Sequence, residues 1–123
     1  MKPLLITLTL IFGAFFNNAN NGEEQIFNTK LKITVLNELG NVVEGAKVTI
    51  YKNQADYNAE KNPVQPAQLS NNKGQVTFKK IDPASYYILV RKGDMDNIGG
   101  GEIIEKLKKN KLNKANIVIT DGL

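Results

Sequence analysis

The sequence predicts an all-β fold, an antiparallel β-sandwich of about seven strands. Two observations carry that expectation. Apolar residues recur with a period of two through three runs and continuously through two more, all rich in β-branched and aromatic side chains. Polar clusters containing Gly, Pro, Asn and Asp punctuate those runs at the spacing of tight turns. The length, 123 residues, bounds the chain to one domain.

Each element follows from its own pattern. In residues 31–36, Leu31, Ile33 and Val35 share one face of a strand. Leu39-Gly40-Asn41 turns the chain into Val42-Val43, and Gly45 precedes a second strand in which Ala46, Val48 and Ile50 share a face. Residues 54–69 carry Pro63 and Pro66, which exclude a central strand, so this stretch reads as a loop closing in a short edge strand at 67–69. Asn71-Asn72-Lys73-Gly74 turns into a third strand around Val76 and Phe78. Asp82-Pro83-Ala84-Ser85 makes a tight connection to Tyr86-Tyr87-Ile88-Leu89-Val90, which is apolar on both faces. A strand of that kind sits centrally and is covered by a second layer. For 102–109 there are two readings. Ile103, Ile104 and Leu107 would share one face of a helix, but Gly99-Gly100-Gly101 precedes them and only two turns fit. The preferred reading is a hairpin, with a strand over 102–107, a Lys-Asn turn and a closing strand over 113–120.

The first twenty residues do not belong to this pattern. Lys2 is followed by an uncharged stretch over residues 3–16 and then an Asn-rich segment, with Ala14 or Ala19 as the small residue before cleavage. That stretch is shorter than the roughly 20 apolar residues of a membrane span and fits a secretory signal peptide. An uncleaved anchor is the competing reading. The expected layout is a signal peptide over 1–20, a flexible segment over 21–29 and the sandwich over 30–123. The expected location is a bacterial periplasm or the secreted space.

Composition removes whole classes of chemistry. The chain has no Cys, no His and no Trp. Without Cys there is no disulfide, no thiolate metal site, no thiol nucleophile and no lipid-modified cysteine, so the chain is not a lipoprotein. Without His the commonest general base and metal ligand are gone. The net charge is +4, but Lys106, Lys108, Lys109, Lys111 and Lys114 account for it locally; without them the segment after residue 20 would be slightly acidic. A patch for an anionic partner is one reading. The preferred one is a solvated edge or turn whose lysines block strand-to-strand association. The chain has a single Arg, Arg91, and no aromatic after Tyr87, so a nucleic-acid partner is not expected. The heavy use of Asn reads as compositional bias.

Three stretches resemble a known family. Asn41-Val42-Val43-Glu44-Gly45-Ala46-Lys47-Val48-Thr49-Ile50, Asn72-Lys73-Gly74-Gln75-Val76-Thr77-Phe78 and Ile81-Asp82-Pro83-Ala84-Ser85-Tyr86-Tyr87-Ile88-Leu89-Val90 are similar to the fold-bearing motifs of carboxypeptidase regulatory-like domains. Ser85 stands where that family commonly has Gly. The resemblance covers about residues 30–92 and implies a transthyretin-like, Greek-key sandwich, here as a stand-alone exported copy. Its motif positions are Gly45, Ala46, Gly74, Phe78, Pro83 and Tyr87. Gly45 would let the chain turn closely against the sheet, Gly74 would take a positive φ, and Tyr87 would pack its ring and bond its hydroxyl to a nearby loop.

Against that family, several activities fail on residues. Transthyretin-like hydrolases of hydroxyisourate need histidines and a C-terminal Tyr-Arg-Gly-Ser, whereas this chain ends Thr120-Asp121-Gly122-Leu123. The available serines, Ser70 and Ser85, both sit in turn contexts. A self-forming isopeptide bond is rejected, because Val35 and Arg91 replace the Lys and Glu it needs and only Asn116 remains. Asp94-Met95-Asp96-Asn97-Ile98-Gly99 with Glu105 partly matches a calcium loop, but Ile98 replaces a ligand and no helix enters the loop; the alternative is a polar hairpin loop. No cofactor is expected. The favoured function is a non-catalytic, exported binding or accessory module that presents loops 54–69 and 93–101 to an envelope protein or glycan. Tyr51 and Tyr57 could stack on a sugar, although local packing is the simpler role. The alternative is a structural envelope component that self-associates through its edges, with an unrecognised hydrolase behind both.

Overall fold

In the computed structural model, alternation along each strand sorts the side chains into a core and two outer faces. The structure describes residues 28–121; the expected signal segment lies outside them, as does almost all of the expected flexible segment. The elements are β1 (Lys30–Leu36), β2 (Lys47–Tyr51), α1 (Gln54–Ala59), β3 (Gln68–Leu69), β4 (Gln75–Phe78), β5 (Tyr86–Lys92), β6 (Met95–Asp96), β7 (Ile103–Ile104) and β8 (Leu112–Val118). They form two sheets. One has the order β4-β1-β8; the other has β3-β2-β5-β6, with β7 also paired to β5. Leu31, Ile33, Val35, Val76, Phe78 and Ile117 from the first sheet meet Ala46, Val48, Ile50, Tyr86, Ile88 and Val90 from the second. Ile81, Leu107 and Ile119 complete this core. The sandwich is the fold class expected from the period-two runs.

The chain crosses between the sheets at several connections, and side chains hold these crossings. Ser70 is buried; its Oγ accepts from the Ala46 N–H at 2.9 Å and donates to the Val43 carbonyl at 2.6 Å. Asn71 Oδ1 accepts from the N–H groups of Lys73 and Gln75, which shapes the turn into β4. Ile119 N–H donates to Leu36 O on the first sheet, while Asp96 and Thr120 exchange two backbone bonds, so the last residues link both sheets. Among the described residues, no buried side-chain nitrogen or oxygen lacks a hydrogen-bond partner.

Three expectations are corrected. First, 102–107 and 113–120 do not form a hairpin. Residues 103–104 are a strand, but it pairs with β5 (Tyr86↔Ile104, Tyr87↔Ile103). β8 pairs instead with β1, and the pair is parallel, from Lys30↔Leu112 to Leu36↔Val118. The reason is Leu107. It is buried, and its N–H donates to Ala84 O, which pulls the chain across the end of the sandwich from one sheet to the other. Every other strand pairing is antiparallel. Second, the 54–69 stretch holds a short helix. Asn53 caps α1, its Oδ1 accepting from Asp56 N–H at 2.8 Å, and Glu60 ends it in the left-handed conformation. Third, the hydroxyl bond expected of Tyr87 belongs to Tyr86, whose O–H donates to Asp82 O at 2.7 Å. Strand parity turns Tyr86 into the core and Tyr87 outward. Burial, and next the nearby Asp82 carboxylate, push the Tyr86 phenol up to about 12.

The motif glycines differ in what they tolerate. Both Gly45 and Gly74 have positive φ, at 78° and 74°. A Cβ at Gly45 would meet only the movable Lys92 Nζ, at 2.8 Å. A Cβ at Gly74 would lie 2.8 Å from Val35 O, 2.9 Å from Val42 Cβ and 3.1 Å from Val43 N, against backbone that cannot move aside. Gly45 is therefore held by its backbone angle, and Gly74 by angle and space together. Gly45→Ala is expected to cost about 1–2 kcal/mol, the left-handed backbone penalty. Gly74→Ala is expected to cost about 1–3 kcal/mol beyond that through overlap. Urea unfolding midpoints at unchanged slope measure the difference.

Candidate functional site

The candidate site lies on the outer face of the larger sheet. The antiparallel register of β2 and β5 sets Lys47 beside Arg91, Thr49 beside Leu89 and Tyr51 beside Tyr87. Thr49, Tyr51 and Leu89 are buried although they face away from the core, because residues 53–67 arch over them. Tyr57 of α1 is the plug. Its ring packs edge-on against Tyr51, with centroids 6.0 Å apart, and tilted against Tyr87 at 5.5 Å. Its hydroxyl donates to Glu102 Oε2 at 2.5 Å, tying α1 to the strand-like segment before β7. Burial, reinforced by this bond to a carboxylate, holds the Tyr57 phenol protonated far above its ordinary range. Burial, and next Glu60, raise the Tyr51 phenol as well.

Two adjoining clefts remain on this face. The first, about 220 Å³, is lined by Lys47, Thr49, Tyr51, Glu60, Pro63, Ala67, Leu89 and Arg91. The second, about 170 Å³, lies between the two long loops and is lined by Tyr57, Asn58, Glu60, Leu89, Ile98 and Glu102. They share Glu60 and Leu89. Glu60 forms a two-pronged ion pair with Arg91, at 2.8 and 2.9 Å. The bonds from Arg91 hold the Glu60 carboxyl below its usual range. The arrangement combines an apolar floor with paired charges and a threonine hydroxyl. That combination suits recognition of a polar or hydroxyl-rich ligand. Neither lining includes a serine, and the one hydroxyl that meets a carboxylate there, Tyr57 on Glu102, is held protonated.

The other sequence candidates are placed as follows. Ala46 and Phe78 lie in the core, Pro83 is half-buried in the turn before β5, and Tyr87 is half-buried under Tyr57. Ser70 is committed to backbone and Ser85 lies exposed in a turn. Tyr51 and Tyr57 offer no open ring face to a sugar, since both are buried against each other. Val35 is in the core, Arg91 faces out from one sheet and Asn116 faces out from the other, so the three do not meet. Asp94 is exposed at the turn after β5, Asp96 Oδ1 accepts from Ile98 N–H, and Glu105 is exposed beyond β7. Among the described residues no three acidic side chains gather into a group that would hold a metal. Asn97, between those aspartates and the glycines, is the residue that sequence reasoning missed. It is buried; its Oδ1 accepts from Val90 N–H at 2.9 Å, and its Nδ2 donates to Ile88 O at 2.8 Å and Gly101 O at 3.3 Å.

No protein-family model matches the chain, and no curated protein matches it. Solved structures do. A group B streptococcus pilus 2b backbone protein aligns with a TM-score of 0.52 at 13% identity, covering 73% of this chain and 40% of that one. A streptococcal ancillary pilin aligns at 0.57 and 10% identity, covering 94% of this chain and 38% of that one. BcpA, the major pilin subunit of Bacillus cereus, aligns at 0.53 and 16% identity, covering 76% and 30%. The chain thus corresponds to two fifths or less of each of these proteins. At such identity the shared feature is the fold, a β-sandwich.

Two outcomes test the site's construction. Asn97→Ala leaves the Val90 N–H and the Ile88 carbonyl without their buried partner and is expected to cost about 2–4 kcal/mol, against less than about 0.5 kcal/mol for the exposed Asp94→Ala. Thermal melts of the two variants read this. The Glu60–Arg91 pair is half-exposed, 44% on each side, so Glu60→Gln is expected to cost only about 0.2–1 kcal/mol at neutral pH. Because Arg91 lowers the folded-state pKa of Glu60, that contribution is present above the ordinary carboxylate range and is lost as pH falls through the lowered value. Denaturant midpoints of wild type and variant should converge on acidification.

Proposed function

We propose that this chain is a non-catalytic, exported β-sandwich module of the carboxypeptidase regulatory-like kind, and that the paired clefts bind a glycan or an extended segment of an envelope protein. One observation carries the reading: loops 54–69 and 93–101 converge over the sheet around a charge pair, leaving a lined cleft. The likeness to pilus backbone and ancillary pilin domains favours a role in the cell envelope. Among the described residues no helix is long and apolar enough to cross a membrane. Export would rest on residues 1–20, and N-terminal sequencing of the protein from cell fractions tests it. For the cleft, Ala67→Trp fills the space from an exposed position without touching the core. A glycan array together with crosslinking in whole envelopes is expected to return a ligand for the wild type. Binding by Ala67→Trp should fall by about tenfold or more, the scale of losing one well-packed contact. Equal binding by both overturns the assignment of the cleft.

A second reading has its own observation. β8 is a seven-residue strand at the edge of its sheet, with Leu112 and Val118 exposed. Such an edge is a template for self-association. Light scattering across a concentration series separates the two: a concentration-dependent oligomer supports the structural role, and a constant monomer supports the binding module.

A further inference from the structure

The outer face of the smaller sheet lies apart from the clefts and carries lysines on adjacent strands. Its pairing was not legible in the sequence, because β1 and β8 are more than seventy residues apart and run parallel. The parallel register sets Lys32 directly beside Lys114, with Thr77 on the other side of Lys32. Like charges side by side on one sheet face are destabilising. None of the three strands contains an acidic residue to offset them. Among the described residues, no carboxylate lies within ion-pair distance of either lysine.

At the end of this sheet the backbone of the basic loop is held at Lys108, Asn110 and Lys111. Asn113 Nδ2 donates to the backbone carbonyls of Lys30, Lys108 and Lys111, at 3.1, 3.1 and 3.2 Å, while its Oδ1 accepts from Lys108 N–H at 2.8 Å. Lys30 N–H donates to Lys111 O. Thr29, fully buried, accepts from Asn110 N–H at 2.9 Å and pins the turn. The loop is therefore built, and its lysine backbones have defined positions. Spacings on a sheet are about 5 Å between strands and about 7 Å between alternate residues of a strand, so Lys30, Lys32 and Lys114 share one short patch of β1 and β8.

We infer that this face binds an acidic polysaccharide, a chain of carboxylated sugars laid across β1 and β8. Charge complementarity selects an anion. The rest of the face selects its kind. Gln75, Thr34 and Asn116 lie in one row across the three strands, offering hydroxyl and amide groups to sugar hydroxyls. No aromatic side chain faces out here for a base to stack on, and the chain's one Arg is bound to Glu60 on the opposite sheet. This surface is separate from the clefts, so its failure would leave the reading of the clefts untouched.

Titration calorimetry of the chain with oligogalacturonate in low-salt buffer tests this. Binding is expected, weakening as salt is added because the charges are exposed. Lys32→Gln combined with Lys114→Gln is expected to lower affinity about five- to tenfold, the scale of two exposed ionic contacts. Lys52→Gln with Lys61→Gln removes equal charge beside α1 and should leave affinity essentially unchanged. Asn113→Ala removes no charge but frees the lysine loop, and should lower affinity while circular dichroism stays native. Absence of binding in low salt overturns the inference, as does equal affinity in the Lys32/Lys114 variant. Equal affinity for single-stranded DNA or for anionic phospholipid vesicles overturns it in favour of unselective polyanion attraction. Oligomerisation of the Lys32/Lys114 variant with sugar binding intact overturns it in favour of edge protection.

Discussion

The arrangement of this molecule depends on one strand that is apolar on both sides. β5 turns Tyr86, Ile88 and Val90 into the sandwich core and Tyr87 and Leu89 away from it. The inner set is covered by the opposite sheet. The outer set would otherwise leave a large apolar patch in water. Tyr57 and the arch that carries it solve this, forming a second small cluster with Tyr51, Leu89 and Tyr87. The consequences run outward from there. α1 must sit where Tyr57 reaches β5. Glu60 then ends α1 within reach of Arg91, and Glu102 meets the Tyr57 hydroxyl. The clefts are what an arch over a flat sheet leaves unfilled.

A second constraint is the polar closure of the loops. Asn37, Asn53, Asn71, Asn97 and Asn113 each bond backbone groups through their side chains. A short amide supplies both a donor and an acceptor, so it replaces ladder bonds that loop backbone lacks. Each such bond contributes about 1 kcal/mol net, and losing one at a buried site costs more. The abundance of Asn, which reads as bias from composition alone, is architecture in these loops. A chain without disulfides uses many small polar staples to hold its turns.

The legible parts were those governed by local rules. Strand positions followed from alternation at Leu31, Ile33 and Val35 and at Ala46, Val48 and Ile50. Gly74 announced its turn, and β5 announced its two covers. The illegible parts turned on single residues. One buried Leu107 redirected the chain and exchanged a hairpin for a parallel pair. A six-residue helix fell below what periodicity detects, although Asn53 carried a capping signal. Tyr86 and Tyr87 differ only in strand parity, and parity is set by which neighbour enters the core. Asn97 looked like part of a ligand loop because burial is not written in a residue's identity.

The sequence by itself determined the sandwich, the faces of its main strands, and the absence of histidine and cysteine chemistry. Those follow from residue type and from a two-residue period, which act over a few positions. Only the tertiary structure decided that Glu60 pairs with Arg91, that Tyr57 closes the outer face, and that Lys32 stands beside Lys114. Each of these joins residues about thirty or more positions apart. Their meeting depends on strand order and register, which arise from packing the whole core at once and leave no local mark.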